Sequence, residues 1–406
     1  MSRTARIDAI HIQQFRSIPS QVVRLGSPVF LIGANGSGKS NFVDAFAFLS
    51  EAADQPLQAV LDRRGGMSAV RHRAPTDSDN TLGLGVELSG LQPADIETPV
   101  TSARYAFEAR KIGDLEMNVL REQCIVDFAD GRRLWYDREG NKFRSNLRWL
   151  NNFRGRWLAS SSLAISVFGA VAPFSAVHTA LRSIRVYSID PELMARTQQI
   201  DSGLVLRANG ANAGGVLDEI QKRAPLDYRR IGELLAAVSP GIDEVRPAKH
   251  GKFVDFEFVQ RWGPDKQLVF DAFSMSRGTL QALGILLAVY QRSSPFVLII
   301  EEPEASLHPG AVFTILEVLR RASERIQVLI TTHSPEVLDT KWISDEHVRY
   351  VSWAEGKTTV SELAQSSRNA IRKHLMGVGE MLRSNALEPA EPFENSLRTA
   401  LFTEVQ

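Results

Sequence analysis

At 406 residues the chain has room for two domains, or for one domain carrying a large insertion, and 44% hydrophobic with 23% charged residues is the balance of a soluble globular protein. Its 47 basic residues match 47 acidic ones, so no global field draws it to nucleic acid or membrane, and any such contact needs a local patch. The one cysteine, Cys124, excludes a disulfide framework and a cysteine-rich zinc site, and no apolar run approaches the ~20 residues of a membrane span. No apolar core follows the basic N-terminal residues, so no signal peptide is expected there and the expected setting is the cytoplasm. Cys124 opens onto Ile125-Val126 and is expected to be inert packing.

Residues 6–15 alternate as a strand, 21–25 as a second, and Val29-Phe30-Leu31-Ile32 as a short strand covered on both faces. That third strand runs into Gly33-Ala34-Asn35-Gly36-Ser37-Gly38-Lys39-Ser40, which fits the phosphate-loop pattern G-x-x-x-x-G-K-[ST]. Glycines let successive backbone N–H groups close on a diphosphate; Lys39 reaches the β- and γ-phosphates, and the Ser40 hydroxyl suits Mg²⁺. Phe42, Ala45, Phe46 and Leu49 then fall at helical spacing, which aims a helix N-terminus at the phosphates. Nucleotide binding follows from this strand–loop–helix context.

Further strands are expected at 81–88, 103–111, 115–128 and 132–136, with a turn at Ala129-Asp130-Gly131, forming an antiparallel meander. From 141 to 240 the character becomes helical, with helices at 177–184, 216–223 and 228–238 and a stop at Ser239-Pro240-Gly241. No heptad pattern is sustained there, so no long coiled-coil arm is expected. Strands return at 242–246, 253–260 and 267–270. The last third alternates helix and strand: helix 276–291, strand 296–300, helix 310–323, strand 327–331, and a helix from Ser334. This order predicts a mainly parallel α/β core whose ligand sits at the carboxyl ends of the strands. The expected division is 1–140 and 241–406 as two parts of one nucleotide-binding head, with 141–240 a helical insertion.

Strand 296–300 delivers Glu301-Glu302-Pro303-Glu304, as a sheet presents carboxylates to a metal–phosphate centre. Glu301 is expected to hold Mg²⁺ through water, and Glu302 to orient or deprotonate the attacking water. His333, after the next strand, is placed to contact the γ-phosphate. Ser276-Arg277-Gly278-Thr279 opens a helix and makes a second anion site. One phosphate cradle is already complete, so this second site is either spare or serves the nucleotide of another copy.

Taken together these motifs resemble the ABC-type ATPases of the SMC, RecF and OLD group. The phosphate loop, the signature helix at Ser276, the acidic strand end and the histidine motif keep that group's order, and Ile10-His11-Ile12-Gln13-Gln14-Phe15-Arg16-Ser17-Ile18 looks like its opening strand-turn. Leu307-His308-Pro309 resembles the segment after its Walker B acids. The resemblance covers roughly 1–50 and 270–340 and implies an α/β head with an antiparallel β subdomain, ATP and Mg²⁺ as cofactors, and ATP hydrolysis. It also implies a homodimer or higher oligomer that sandwiches each nucleotide between Lys39 and Ser40 of one subunit and Ser276 and Gly278 of the other, with Ala305-Ser306-Leu307 at the seam. Residues implied at the nucleotide are Gly33, Asn35, Gly36, Ser37, Gly38, Lys39, Ser40, Asn41, Arg16, Ser276 and Gly278, with Glu302 and His333 catalytic and Ser40 and Glu301 at the metal. Three features depart from the pattern: Ser-Arg-Gly-Thr replaces the transporter signature, Glu301 stands where many relatives have Asp, and 65–80 offers His72 but no lid-loop glutamine. Gln55 and Gln58 come too early to serve as one.

OLD-type relatives carry a Toprim nuclease behind the ATPase, for which 341–406 is too short. The chain is therefore expected to switch a separate effector, such as a nuclease in phage defence or DNA repair; the alternative is a RecF-type protein in which ATP clamps DNA with no effector. From Lys142 to Ile189 there is no acidic residue, while Lys142, Arg144, Arg148, Arg154, Arg156, Arg182 and Arg185 are basic, interleaved with Phe143, Trp149, Phe153 and Trp157. Such a stretch suits nucleic acid, an acidic partner face, or a half-buried layer whose arginines snorkel outward.

Overall fold

The computed structural model describes residues 5–72, 80–92, 98–112, 116–151, 158–263, 266–391 and 401–405. In chain order the strands are β1 (Arg6–Phe15), β2 (Ile18–Arg24), β3 (Val29–Ile32), β4 (Thr81–Ser89), β5 (Val100–Ile112), β6 (Glu116–Phe128), β7 (Arg133–Glu139) and β8 (Lys142–Ser145). Then follow β9 (Ile184–Tyr187), β10 (Gln198–Gln199), β11 (Glu244–His250), β12 (Phe253–Gly263), β13 (Lys266–Asp271), β14 (Val297–Glu301), β15 (Gln327–Thr332), β16 (Val348–Ala354) and β17 (Lys357–Ser361).

The described residues form three sheets, a small one of β10-β12-β11 with β13 on β12 and two larger ones that carry the architecture. A seven-stranded antiparallel sheet runs β2-β1-β4-β5-β6-β7-β8, and a six-stranded sheet runs β17-β16-β3-β15-β14-β9. In the second, β16, β3, β15, β14 and β9 are parallel neighbours and β17 closes one edge antiparallel. Its strands are apolar on both faces because each face has its own core. Val29, Leu31, Val297 and Ile299 point to the core shared with the antiparallel sheet, while Phe30, Ile32, Leu298 and Ile300 point to the opposite one. The helix Lys39–Asp54 fills the space between the two sheets. Phe48 on this helix packs edge-on against Phe15, with centroids 5.5 Å apart, and stacks on Phe107 at 6.4 Å.

The expected meander is present. Its Ala129-Asp130-Gly131 turn works as such residues do: Gly131 takes φ 86°, and Asp130 Oδ1 accepts the Arg132 N–H at 3.0 Å. Cys124 is buried in β6, where burial pushes its thiol well up and suppresses the reactive thiolate.

Residues 141–240 hold helices, chief among them Ser175–Arg182, Ala213–Arg223 and Pro225–Val238. They also contribute β8 to the first sheet and β9 to the second. The helix expected at 177–184 stops at Arg182, and Ile184 starts β9 instead. The apolar spacing carries on across the junction, but Ser183 leaves helical geometry there.

A buried carboxylate ties this segment to the sheet. Glu122 accepts from the Tyr105 and Tyr136 hydroxyls, both at 3.0 Å, and from the backbone N–H groups of Ala164 and Ile165. Arg138, itself buried, lies 3.6 Å away. Burial nevertheless pushes the Glu122 carboxyl up, against the pull of Arg138 and of the hydrogen bonds it accepts.

The described part of the basic-aromatic stretch is largely engaged. Arg144 pairs with Asp137 at 3.2 Å, Arg182 with Asp54 at 2.9 Å, and Phe143 and Trp149 pack edge-on against Phe168. Phe153, Arg154, Arg156 and Trp157 lie outside the described residues. Among the described residues no helix is long and apolar enough to cross a membrane.

Candidate nucleotide site

Three adjacent parallel strands end at one place. Thr332 of β15 is in register with Ile32 of β3, and Glu301 of β14 with Thr331 of β15. The phosphate loop, the acidic segment and His333 therefore leave the sheet together at its carboxyl edge, where α/β sheets bind ligands.

The loop is shaped by close approach. A Cβ on Gly33 would overlap the Val351 carbonyl of β16, and one on Gly38, at φ 101°, would overlap the Thr358 side chain of β17. Gly36, at φ 78°, is exposed with Ala34 and Asn35, while Ser37 is buried. A polar relay braces the loop from beneath. Asn41 donates to the Ser17 hydroxyl at 2.7 Å, Ser17 and Thr358 hydroxyls meet at 2.7 Å, and Thr358 donates to the Ser37 carbonyl at 2.9 Å. With Thr358 donating to that carbonyl, Ser17 is the donor between the two hydroxyls.

Lys39 is buried at the start of its helix, and its Nζ donates to the Gly33 and Ala34 carbonyls at 2.8 and 3.1 Å. Burial lowers its pKa, and the nearby Glu302, Glu304 and Glu301 carboxylates pull the other way. The loop lysine and the acids thus already share one electrostatic field.

Glu301 receives a hydrogen bond from Ser40, and its carboxyl is pushed up first by burial and then by Glu302 and Asp44. Glu302 sits in the left-handed region, at φ 44°, held by its N–H bonding to the Thr331 carbonyl at 3.0 Å and hydroxyl at 3.1 Å. A non-glycine residue there carries strain of a kind concentrated at functional sites. That backbone turn brings the Glu302 carboxylate to 3.2 Å from His333 Nδ1, both side chains part-exposed. Glu304 accepts from Thr332 Oγ1 at 2.5 Å, while its Oε2 is buried with no hydrogen bond among the described residues. Burial raises its carboxyl, and Glu302 adds to the effect.

The other expected residues make contacts of their own in one copy. Arg16 donates to Asp44 at 2.8 and 2.9 Å and to the Ala69 carbonyl at 3.0 Å. Ser276 caps the helix Arg277–Tyr290, accepting the Thr279 N–H at 3.1 Å. Arg277 pairs with Glu192 at 3.0 Å. A Cβ on Gly278 would overlap the Ser306 carbonyl, so the helix tip rests on Ala305-Ser306-Leu307, where Ser306 takes φ 63°. In one copy Ser276 is thus bonded to Thr279 of its own helix and Gly278 rests on this segment, not on the phosphate loop.

Thr358, Thr332, Glu304 and Asp44 escaped sequence reasoning. Only Glu304 carried a signal, as the third acid of its run.

The residues fit magnesium nucleotide. The Ser37 hydroxyl is buried without a hydrogen bond inside a backbone cradle among the described residues. Ser40 and Glu301 form a hard-oxygen pair of the type Mg²⁺ takes when phosphates and waters complete its shell.

The "Old nuclease" of Escherichia phage P2 is 24% identical over 83% of the chain and 58% of its own length. The "DNA replication and repair protein RecF" of Caulobacter sp. (strain K31) is 30% identical over 34% of the chain and 39% of its own length. The chain thus spans about half the length of these curated relatives. A crystal structure of "the SmcHead bound to the C-winged helix domain of ScpA" has the same fold, with TM-score 0.55 at 15% identity over 90% of this chain and 99% of that one. Residues 29–339 match the family described as "AAA domain, putative AbiEii toxin, Type IV TA system", and the chain belongs to it, among the ABC-type ATPases of SMC, RecF and OLD kind.

Proposed function

We propose that the protein hydrolyses ATP to ADP and phosphate at a site completed by a second copy of the chain, and that the closed dimer is the signal a separate effector reads. The observation that carries the reading is where the motifs fall in one copy. Loop, acids and histidine converge at one sheet edge, while the Ser276 tip is turned to Ser306 within its own copy. Phe273, just before that tip, is 85% exposed, an apolar side chain open to cover by another molecule.

In this scheme the loop N–H groups and Lys39 hold the β- and γ-phosphates, and the lysine trades its carbonyl partners for phosphate oxygens. Glu302 accepts the proton of the attacking water, and His333, positioned by the same carboxylate, contacts the γ-phosphate. Ser40 and Glu301 would hold Mg²⁺, which when bound neutralises phosphate charge. The partner's Ser276 end supplies a helix N-terminus to the same phosphates. ATP favours the closed pair because only that state completes the contacts, and hydrolysis removes the preference. The effector is proposed to be a nuclease, since one relative is named a nuclease and another a DNA replication and repair protein.

Mixing tests the composite site. Lys39→Ala chains lack the phosphate cation and Ser276→Arg chains block the tip, so each alone is expected to be inactive. A mixture is expected to regain hydrolysis through the one intact site of each mixed dimer. No recovery, or full activity of Ser276→Arg alone, contradicts the shared site. Hydrolysis that rises with duplex DNA alone, with no protein co-purifying, favours the RecF-type alternative.

A further inference from the structure

The outer face of the antiparallel sheet has features the nucleotide site does not use. Gly83 and Gly85 stand mid-strand in β4, where glycine weakens a sheet unless something approaches closely. Something does. A Cβ on Gly83 would come within 2.5 Å of the Leu401 side chain, and one on Gly85 within 3.2 Å. Gly85 is in register with Ala106 of β5, and Ala106 with Gln123 of β6, so the two small residues floor a channel with a buried amide at its side.

That amide reads a peptide backbone. Gln123 Oε1 accepts the Thr403 N–H at 3.0 Å, and its Nε2 donates to the Thr403 carbonyl at 2.8 Å. Arg104 donates to the Thr403 hydroxyl and to the Leu401 carbonyl, and the Arg121 guanidinium lies 4.5 Å from the centroid of the Phe402 ring. Asp137, in register with Gln123, is buried and fixes Arg121 through hydrogen bonds of 3.0 and 2.7 Å. Notch, two-point amide and fixed cations together make a built receptor for a short peptide segment.

We propose that this face is a peptide-binding groove, filled in the same chain by Leu401–Thr403, and that a partner protein docks there with a segment of like chemistry: an aliphatic residue, an aromatic one and a hydroxyl residue, followed by an acid. The two-point amide contact is blind to side-chain identity, because it meets only a backbone N–H and carbonyl. The arginines favour acid beside it, where this chain has Glu404. Among the described residues Leu401, Phe402 and Thr403 make these contacts, and a partner segment that makes the same ones competes for the groove. The inference rests on none of the nucleotide-site residues.

The test uses the full chain and a fluorescein-labelled synthetic peptide of residues 399–406. Leu401→Asp with Phe402→Ala releases the resident tail, and this variant is expected to bind the peptide at least about tenfold more tightly than the unaltered chain. Adding Gly83→Val, which fills the notch, or Gln123→Ala, which removes the two-point contact and leaves strand glycines alone, is expected to lose that gain. Equal binding by released and unaltered chains, no binding by the released chain, or binding that survives Gln123→Ala overturns the proposal. Sizing without nucleotide gives the remaining outcome. A dimer that Leu401→Asp dissociates would assign the groove to the tail of a second copy and overturn the partner reading, whereas a monomer supports it.

Discussion

His333 and Glu302, 31 positions apart, meet at 3.2 Å because neighbouring strands end together and the Glu302 backbone turns left-handed at φ 44°. Donation from Nδ1–H to the carboxylate fixes the ring's orientation, and the ring serves as a phosphate donor through Nε2 when that nitrogen also carries a proton. His333→Ala should therefore lower kcat by about 10²–10³-fold, the usual loss for one preorganised donor. Steady-state kinetics with ATP, showing a fall in kcat with little change in KM, checks this.

Thr358 braces the phosphate loop from 321 positions away through the Ser37 carbonyl. Thr358→Val keeps the shape and removes that donor, at a cost of about 1 kcal/mol. Because the bond lies beneath the loop, nucleotide affinity is expected to fall by roughly fivefold to tenfold, and Thr358→Ser should restore it. Titration with a fluorescent ATP analogue reads both variants.

The acid cluster gives the folded protein a pH dependence of definite sign. Glu301 and Glu304 carboxyls are raised above their ordinary 4.5, first by burial. A raised carboxyl contributes stability that is full below 4.5 and is lost as pH rises through the folded value. The nucleotide-free protein is expected to lose Tm on going from pH 5 toward neutrality. Glu304→Gln, which keeps an acceptor for Thr332, should raise Tm at pH 7.5 and flatten that slope. Thermal melts of both proteins across the range decide it.

Glu122 serves two tyrosines, two backbone N–H groups and Arg138 at once. Glu122→Ala leaves the two hydroxyls and two N–H groups buried with this acceptor gone, while Arg138 keeps the Gly140 and Ser162 carbonyls, and is expected to cost about 3–5 kcal/mol. Urea unfolding followed by circular dichroism gives the number, and nucleotide affinity of the folded fraction should stay the same.

The sequence exposed what depends on local pattern. The loop, the acid run, His333 and the helix opened by Ser276 each carry their chemistry in consecutive residues. The meander also declared itself through alternation and through Asp130-Gly131. Long-range features were illegible. β9 is four residues long and continues the apolar spacing of the preceding helix, so only its pairing with β14 reveals it. Thr358 is one hydroxyl in a polar run until β17 folds over the loop. Arg16 belongs to a recognisable opening motif, yet only the fold shows it paired with Asp44.

Glu302→Gln is the most direct measurement, because it separates closing the pair from consuming the nucleotide. Hydrolysis should fall by roughly 10²–10⁴-fold with loss of the general base, while Lys39 and the loop still hold ATP. Light scattering on a sizing column with ATP and Mg²⁺ should then show a stable dimer, which reverts to monomer when Ser276→Arg is added. A Glu302→Gln protein that binds ATP at full stoichiometry and elutes as a monomer would contradict the shared site.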